Sequence, residues 1–319
     1  MKKNSSVQLI NLIKQHEIDI VLLCEMPDNF SPNIFLEQLN SLPNVTYYQN
    51  TWIANRSRNV LAISKFTSPE FEFVDKSKFI NTKEWLDQLS YFQLNLPHQL
   101  PITIGLAHLL SKIKPQAELL TNAQELAKDI ERFEKQVGHK RTLLVGDFNA
   151  NPFDDIMLRY DAFKTTMEAT VALSHFAKTQ TTSSSDYNTR TYFYNPSWSL
   201  LGDLHKKAAG TYYYKPWENA DLEEHVKNNG YCLHWNLFDY PLLRPDLIPS
   251  FEKEHFMIVE QVLRPDLIPF FEKEHFMIVE QDNNNNYFLT EENKNNPQQS
   301  TSIVLEYSDH LPIVFSLKF

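Results

Sequence analysis

Two apolar runs, Ile102-Thr103-Ile104-Gly105-Leu106-Ala107 and Thr142-Leu143-Leu144-Val145, flank a stretch in which Leu119, Ala123, Leu126, Ile130 and Phe133 recur at helical spacing. Gly138 stands where it would stop the helix. Strand, helix, strand in that order is the feature that most restricts the fold. Such a crossover joins parallel strands, and continuous apolar runs are expected of strands buried on both faces. Its consequence is that His108 and the string Gly146-Asp147-Phe148-Asn149 emerge together at the carboxyl ends, where open α/β sheets hold their ligands. An extended backbone past Gly146 would put Asp147 and Asn149 on one side, offering a carboxylate and an amide to one ligand.

The same grammar opens and closes the chain. Ser5 or Ser6 is expected to cap a helix carrying Leu9, Leu12 and Ile13, which leads into a buried strand from Ile18 to Cys24 ending in Glu25. Near the other end, Ser308-Asp309-His310-Leu311-Pro312 introduces a closing strand from Leu311 to Phe319, with Pro312 at a tolerated first position. Asp309 and His310 are adjacent and would diverge from an extended backbone, so they should contact different groups.

Nothing Gly/Ser-rich or Pro-rich divides residues 1–319, which read as a single domain. Between Asn151 and Asn236 the pattern loosens into long loops and short strands around the site. Tyr192-Phe193-Tyr194 with Trp198, and Tyr212-Tyr213-Tyr214, either stack on a base or sugar or close over the edge of the core. Leu243–Gln261 then reappears as Leu263–Gln281, shifted by 20 residues, with Ser250 against Phe270 the one mismatch in 19 positions. Two copies do not make a solenoid, and one copy is expected to pack while the other is an extension. His255 and His275 lie in Lys/Glu-rich segments and read as parts of a solvated face rather than as metal ligands. Residues 282–302 read as a polar loop.

Charge and cysteine content narrow the function classes. Lys and Arg number 30 against 40 Asp and Glu, a net charge of −10, which argues against a broad basic grip on duplex DNA. It leaves open a nucleic acid substrate held by a short basic track beside a cation. Cys24 and Cys232 are too few for a disulfide framework and lack metal-site spacing, so the expected compartment is a reducing interior, the cytoplasm. Met1-Lys2-Lys3 is followed by Asn4-Ser5-Ser6 and not by an apolar segment, and no run reaches membrane-spanning length.

Glu25, His108, Asp147, Asn149, Asp239, Asp309 and His310 each begin or end an apolar run. The strings Asp19-Ile20-Val21-Leu22-Leu23-Cys24-Glu25, Gly146-Asp147-Phe148-Asn149, Phe238-Asp239-Tyr240 and Ser308-Asp309-His310-Leu311-Pro312 occur in an order that resembles the endonuclease/exonuclease/phosphatase superfamily, the DNase I-like phosphoesterases. The resemblance implies a four-layered α/β sandwich, two mixed β-sheets packed face to face with helices on the outer faces. It implies that Glu25 and Asp309 hold Mg²⁺ or Mn²⁺, ions suited to hard oxygen ligands. Asp147 would orient and deprotonate the attacking water, and Asn149 would hydrogen-bond the phosphate or that water. His310 would contact the phosphoryl oxygens with its ring oriented by Asp239. His108 would assist the leaving group, with the satisfied core histidine as its other reading. One departure stands out: the family's opening strand, with its metal-binding Asn, has no counterpart before Ser5.

The expected function is therefore a divalent-metal-dependent phosphodiester hydrolase, a nuclease, working as a monomer on a nucleic acid. Two alternatives remain at this stage. One is a phosphatase acting on a small phosphorylated molecule or lipid head group, which the acidic balance permits. The other is a degenerate, non-catalytic binding protein, suggested by the missing strand and the duplication.

Overall fold

In the computed structural model the expected crossover is present: Ile102–His108 and Thr142–Asp147 are parallel neighbours joined by the helix Gln116–Val137. The structure describes residues 3–24, 26, 30–41, 45–53, 59–75, 88–112, 114–181, 190–201, 211–212, 235–258 and 313–318. Within them the first half comprises α1 (Lys3–Gln15), β1 (Ile20–Leu23), α2 (Pro32–Asn40), β2 (Tyr48–Ile53), β3 (Val60–Ser64), β4 (Phe71–Val74), β5 (Leu89–Leu94) and β6 (Ile102–His108). There follow α3 (Gln116–Val137), β7 (Thr142–Asp147), α4 (Asp155–Leu158), β8 (Thr165–Thr166), α5 (Ala169–Thr181) and β9 (Phe193–Tyr194). β10 (Thr211–Tyr212), β11 (Trp235–Asn236), β12 (Asp239–Leu243), β13 (Phe251–Ile258) and β14 (Ile313–Leu317) complete the set.

The strands assemble into a three-stranded sheet of order β1-β3-β2 and a seven-stranded mixed sheet of order β4-β5-β6-β7-β12-β9-β8. Alternation of side chains decides how these stack. Val60 and Ala62 of β3 share one core with Phe92, Leu94, Ile104, Leu106, Leu143 and Val145 of the larger sheet, so the two sheets meet face to face. The alternate residues Leu61 and Ile63 turn outward against Ile10 and Ile13 of α1 and Phe35 and Leu39 of α2. On the far side, Leu89, Tyr91 and Leu144 meet Leu119, Leu126, Ile130 and Phe133 of α3. The result is a four-layered sandwich, helix, sheet, sheet, helix. Each fully buried Leu, Ile or Phe in it contributes about 1.5–3 kcal/mol of transfer free energy.

Local chemistry explains the element ends. Gly138 adopts the left-handed conformation at φ 80° and closes α3 as expected. α1 begins at Lys3 and runs through Ser5 and Ser6, so neither serine is its cap. Serine is only mildly unfavourable inside a helix, and the apolar face at Ile10, Leu12 and Ile13 carries the segment. The region expected to be loops after Asn151 also contains the 13-residue α5. Its helical signal was weak because Ala172 is the buried member of a face otherwise exposed or half-buried.

The first copy of the duplicated segment lies against the sandwich. Arg244, Leu247, Ile248, Phe251 and Phe256 are buried, and β13 pairs with β14. The second copy, 263–281, and the polar stretch 282–302 lie outside the described residues.

Candidate active site

The seven-stranded sheet brings its functional side chains together by register. Asp147, the last residue of β7, faces His108 across the parallel pair with β6 and Asp239 across the antiparallel pair with β12. Residues directly opposite one another project to the same face. His108 shares parity with Ile104 and Leu106, Asp147 with Val145, and Asp239 with Leu243, all of which point into the space between the sheets. One row of imidazole, carboxylate and carboxylate therefore crosses three strands at the mouth of the sandwich. His108 Nε2 is 3.9 Å from Asp147 Oδ2, with their side chains 16% and 6% exposed.

Asn149 joins the row by a turn and not by strand alternation. β7 ends at Asp147 and Asn149 takes a left-handed conformation at φ 48°, so the extended geometry expected past Gly146 does not form. The turn folds Asn149 back onto the carboxylate. Its backbone N–H donates to Asp147 Oδ1 at 2.7 Å and its amide Nδ2 to Oδ2 at 2.8 Å, with a second amide donation to Leu109 O at 3.1 Å. Asn is among the few residues tolerant of this conformation. Gly146 is required for a different reason: at φ 133° any Cβ would collide with the carbonyl oxygen of Ala107 on β6.

The surrounding frame includes residues that sequence reasoning missed. Asn151 is fully buried; its side-chain carbonyl accepts from Leu237 N at 2.8 Å and its amide donates to Asn236 Oδ1 at 3.0 Å. Asp154 Oδ2 accepts from Lys112 Nζ at 2.8 Å and from Asn151 N at 2.9 Å. On the opposite face of β12, Tyr240 stacks on Phe148 at 4.7 Å and donates to Ala150 O at 2.9 Å. Its phenol is pushed well above its ordinary range, first by burial and then by the negative charges of Asp154, Asp147 and Asp239. Asn59, just before β3, donates to Met26 O at 2.6 Å and so holds the residue that follows Glu25 in sequence. The sequence signal for Asn151 and Asp154 was their place in the same Gly146–Asp154 loop. Asn59 and Lys112 had none, because their partners are distant in the chain.

Of the expected site residues, the structure brings together His108, Asp147, Asn149 and Asp239. Glu25, Asp309 and His310 lie outside the described residues, as does Cys232. Among the described residues no group of three or more His, Cys, Asp or Glu side chains could hold a metal ion. The donors at hand nevertheless suit a hard cation in type, since the row offers two carboxylates and the neighbouring loop amides. Two carboxylates directly opposite each other across an antiparallel pair are destabilising unless positive charge lies beside them. Among the described residues no helix is long and apolar enough to cross a membrane.

No family model matches the chain, and no curated protein matches its sequence. Among solved structures it is similar to the 3′ phosphatase NExo from Neisseria bound to a product DNA hairpin, at 12% identity and a TM-score of 0.47, over 99% of this chain and 95% of that one. TDP2 of D. rerio complexed with a single-strand DNA product gives 12% identity and a TM-score of 0.47, over 99% and 92%. The human Nocturnin catalytic domain with a bound sulfate anion gives 15% identity and a TM-score of 0.39, over 81% and 78%. At these values the site rests on its own geometry. The layer order of this chain is the one that its resemblance to the endonuclease/exonuclease/phosphatase superfamily implies.

Proposed function

We propose that this chain is a divalent-cation-dependent phosphodiester hydrolase acting on nucleic acid. The observation that carries the reading is the row itself: His108, Asp147 and Asp239 in register on the inner face, with Asn149 fastened to Asp147. Two charge-assisted hydrogen bonds fix the carboxylate's orientation, as a group that must receive a proton from a positioned water requires. His108 lies beside it, its Nε2 3.9 Å from Asp147 Oδ2, on the side from which its ring would donate to an oxygen that gains charge as the P–O bond breaks. Asp239 would orient the ring of His310. Glu25 and Asp309 would hold the cation, Mg²⁺ or Mn²⁺, which when bound supplies positive charge at the nonbridging phosphoryl oxygens.

The test is hydrolysis of single-stranded DNA, duplex DNA and RNA with Mg²⁺ or Mn²⁺, comparing the wild type with Asp147→Ala. Metal-dependent cleavage that disappears in the variant is the expected result. Cleavage unchanged in Asp147→Ala would overturn the site. Hydrolysis of small phosphomonoesters with every polynucleotide intact would replace this reading with the phosphatase one.

A further inference from the structure

We infer that the loop following β7 continues the active site into a single-nucleotide subsite for single-stranded nucleic acid, with Lys112 on the phosphate and Phe153 stacked on the base. The inference rests on the nucleic-acid reading above and adds where the strand lies.

Three observations carry it. First, Lys112 is tethered at the rim: its ammonium is 2.8 Å from Asp154 Oδ2 and 5.6 Å from the centre of the Phe238 ring, the residue immediately before Asp239. Both side chains of the ion pair remain about one-fifth exposed, at 22% and 23%. Asp154 is itself held by the backbone of Asn151, so the cation has a fixed post four residues after His108. Second, Phe153, adjacent to Asp154, is 39% exposed in a loop whose neighbours Asn151 and Pro152 are buried. A rigidly mounted aromatic ring in solvent loses little side-chain entropy when a base stacks on it. Third, Phe153 meets Trp198 edge to face at 6.4 Å, and Trp198 is carried on the 3-10 helix Pro196–Leu200. The cap of that short helix is locked, with Asn195 Oδ1 accepting from Ser197 N at 3.0 Å. The Phe153 ring thus has an aromatic neighbour on a fixed mount.

Phosphate and base are the two chemistries of one nucleotide, and Asp154 joins the residues that would read them. The pairing also fits the charge of the chain. At a net −10 a broad basic surface is disfavoured, which suits a strand held next to the row by local cations and stacking.

The experiment is fluorescence anisotropy of a fluorescein-labelled single-stranded DNA dodecamer with the full chain in EDTA, across a salt series. Variants are Phe153→Ala, Phe153→Tyr, Lys112→Met and, as a control for losing any exposed aromatic ring, Tyr160→Ala, whose parent is 62% exposed. Thermal melts confirm that each is folded. Phe153→Ala is expected to weaken binding roughly tenfold, Phe153→Tyr to retain it, and Tyr160→Ala to match the wild type. Lys112→Met is expected to reduce the slope of log affinity against log salt by about 0.7, the value for one phosphate contact on a single strand. Equal losses in Phe153→Ala and Tyr160→Ala, no loss in Phe153→Ala, or no binding by the wild type would each overturn the subsite. Failure of the function is separately visible. Phe153-dependent binding without hydrolysis sinks the phosphodiesterase reading alone, and Asp147-dependent hydrolysis with binding indifferent to Phe153 sinks the subsite alone.

Discussion

The two ends of β7 and β12 treat charge in opposite ways, although they lie only roughly 16 Å apart along the strands. At the mouth of the sandwich Asp147 and Asp239 stand side by side in register. At the other end Arg244, 3% exposed, grips Glu134, 2% exposed, through paired bonds of 2.7 and 3.0 Å. The same guanidinium lies 3.8 Å from the centre of the Phe193 ring and donates to Thr191 O. Nearby, the buried Arg190 pairs with the more exposed Glu131 at 2.5 Å. The buried Arg244 and Glu134 are matched one for one, because an uncompensated ion there costs several kcal/mol. The mouth instead sets two carboxylates opposite each other beside an imidazole, an arrangement that suits a site acting on a charged ligand.

Five variants and one pH profile would break or sharpen this contrast. Asp147→Asn should lower kcat by about 10²–10⁴-fold while unfolding free energy in urea stays within about 1 kcal/mol of wild type. A large stability loss would place Asp147 with the structural ions instead. Arg244→Ala should do the reverse, costing about 3–5 kcal/mol in the same titration because Glu134 is left buried alone. The double variant Arg244→Met/Glu134→Leu should recover most of that, and failure to do so would show that the bidentate geometry itself, not the orphaned charge, sets the cost. Gly146→Ala should destabilise by about 1–3 kcal/mol through its disfavoured φ and the clash with β6. It should also reduce activity by moving the Asp147 carboxylate. Asp239→Asn should raise stability by about 0.2–1 kcal/mol, relieving repulsion across the pair, yet reduce turnover. If stability falls as well, the repulsion is not there.

The smallest effect concerns the structural end. Burial, reinforced by Arg190 and Arg244, holds the Lys164 amine below its ordinary 10.5. Its ammonium donates to Arg190 O at 2.6 Å and lies 4.4 Å from the centre of the Tyr192 ring. The folded state therefore releases this proton before the unfolded state does. The cost of burying the charge is fully present at lower pH, and stability gains from its relief as pH rises through the depressed value toward 10.5. Lys164→Met should flatten that alkaline gain in urea titrations. An unchanged gradient would assign it to other groups.

How far the site could be read without coordinates differs residue by residue. His108 and Asp147 were legible together, because a parallel crossover forces both strand ends to the same edge, and they are found in register. Asn149 was placed beside Asp147 by an argument from strand alternation, and the structure reaches the same contact by a left-handed turn. α5 was hidden by its weak periodicity. Lys112 with Asp154 are 42 positions apart, Asn151 with Asn236 85 and Glu134 with Arg244 110, and no local pattern encodes such separations.

Periodicity and the order of apolar runs determined the βαβ core, the stop at Gly138 and the edge at which the carboxylates appear, since these follow from backbone geometry and burial within a single segment. The tertiary structure alone decided how the rows align. It placed Asp239 opposite Asp147 and closed Arg244 on Glu134. It also packed the first copy of the duplicated segment through Arg244, Leu247, Ile248, Phe251 and Phe256. Register and ion pairing of this kind join residues on different strands and helices, so the pattern within any one segment does not carry them.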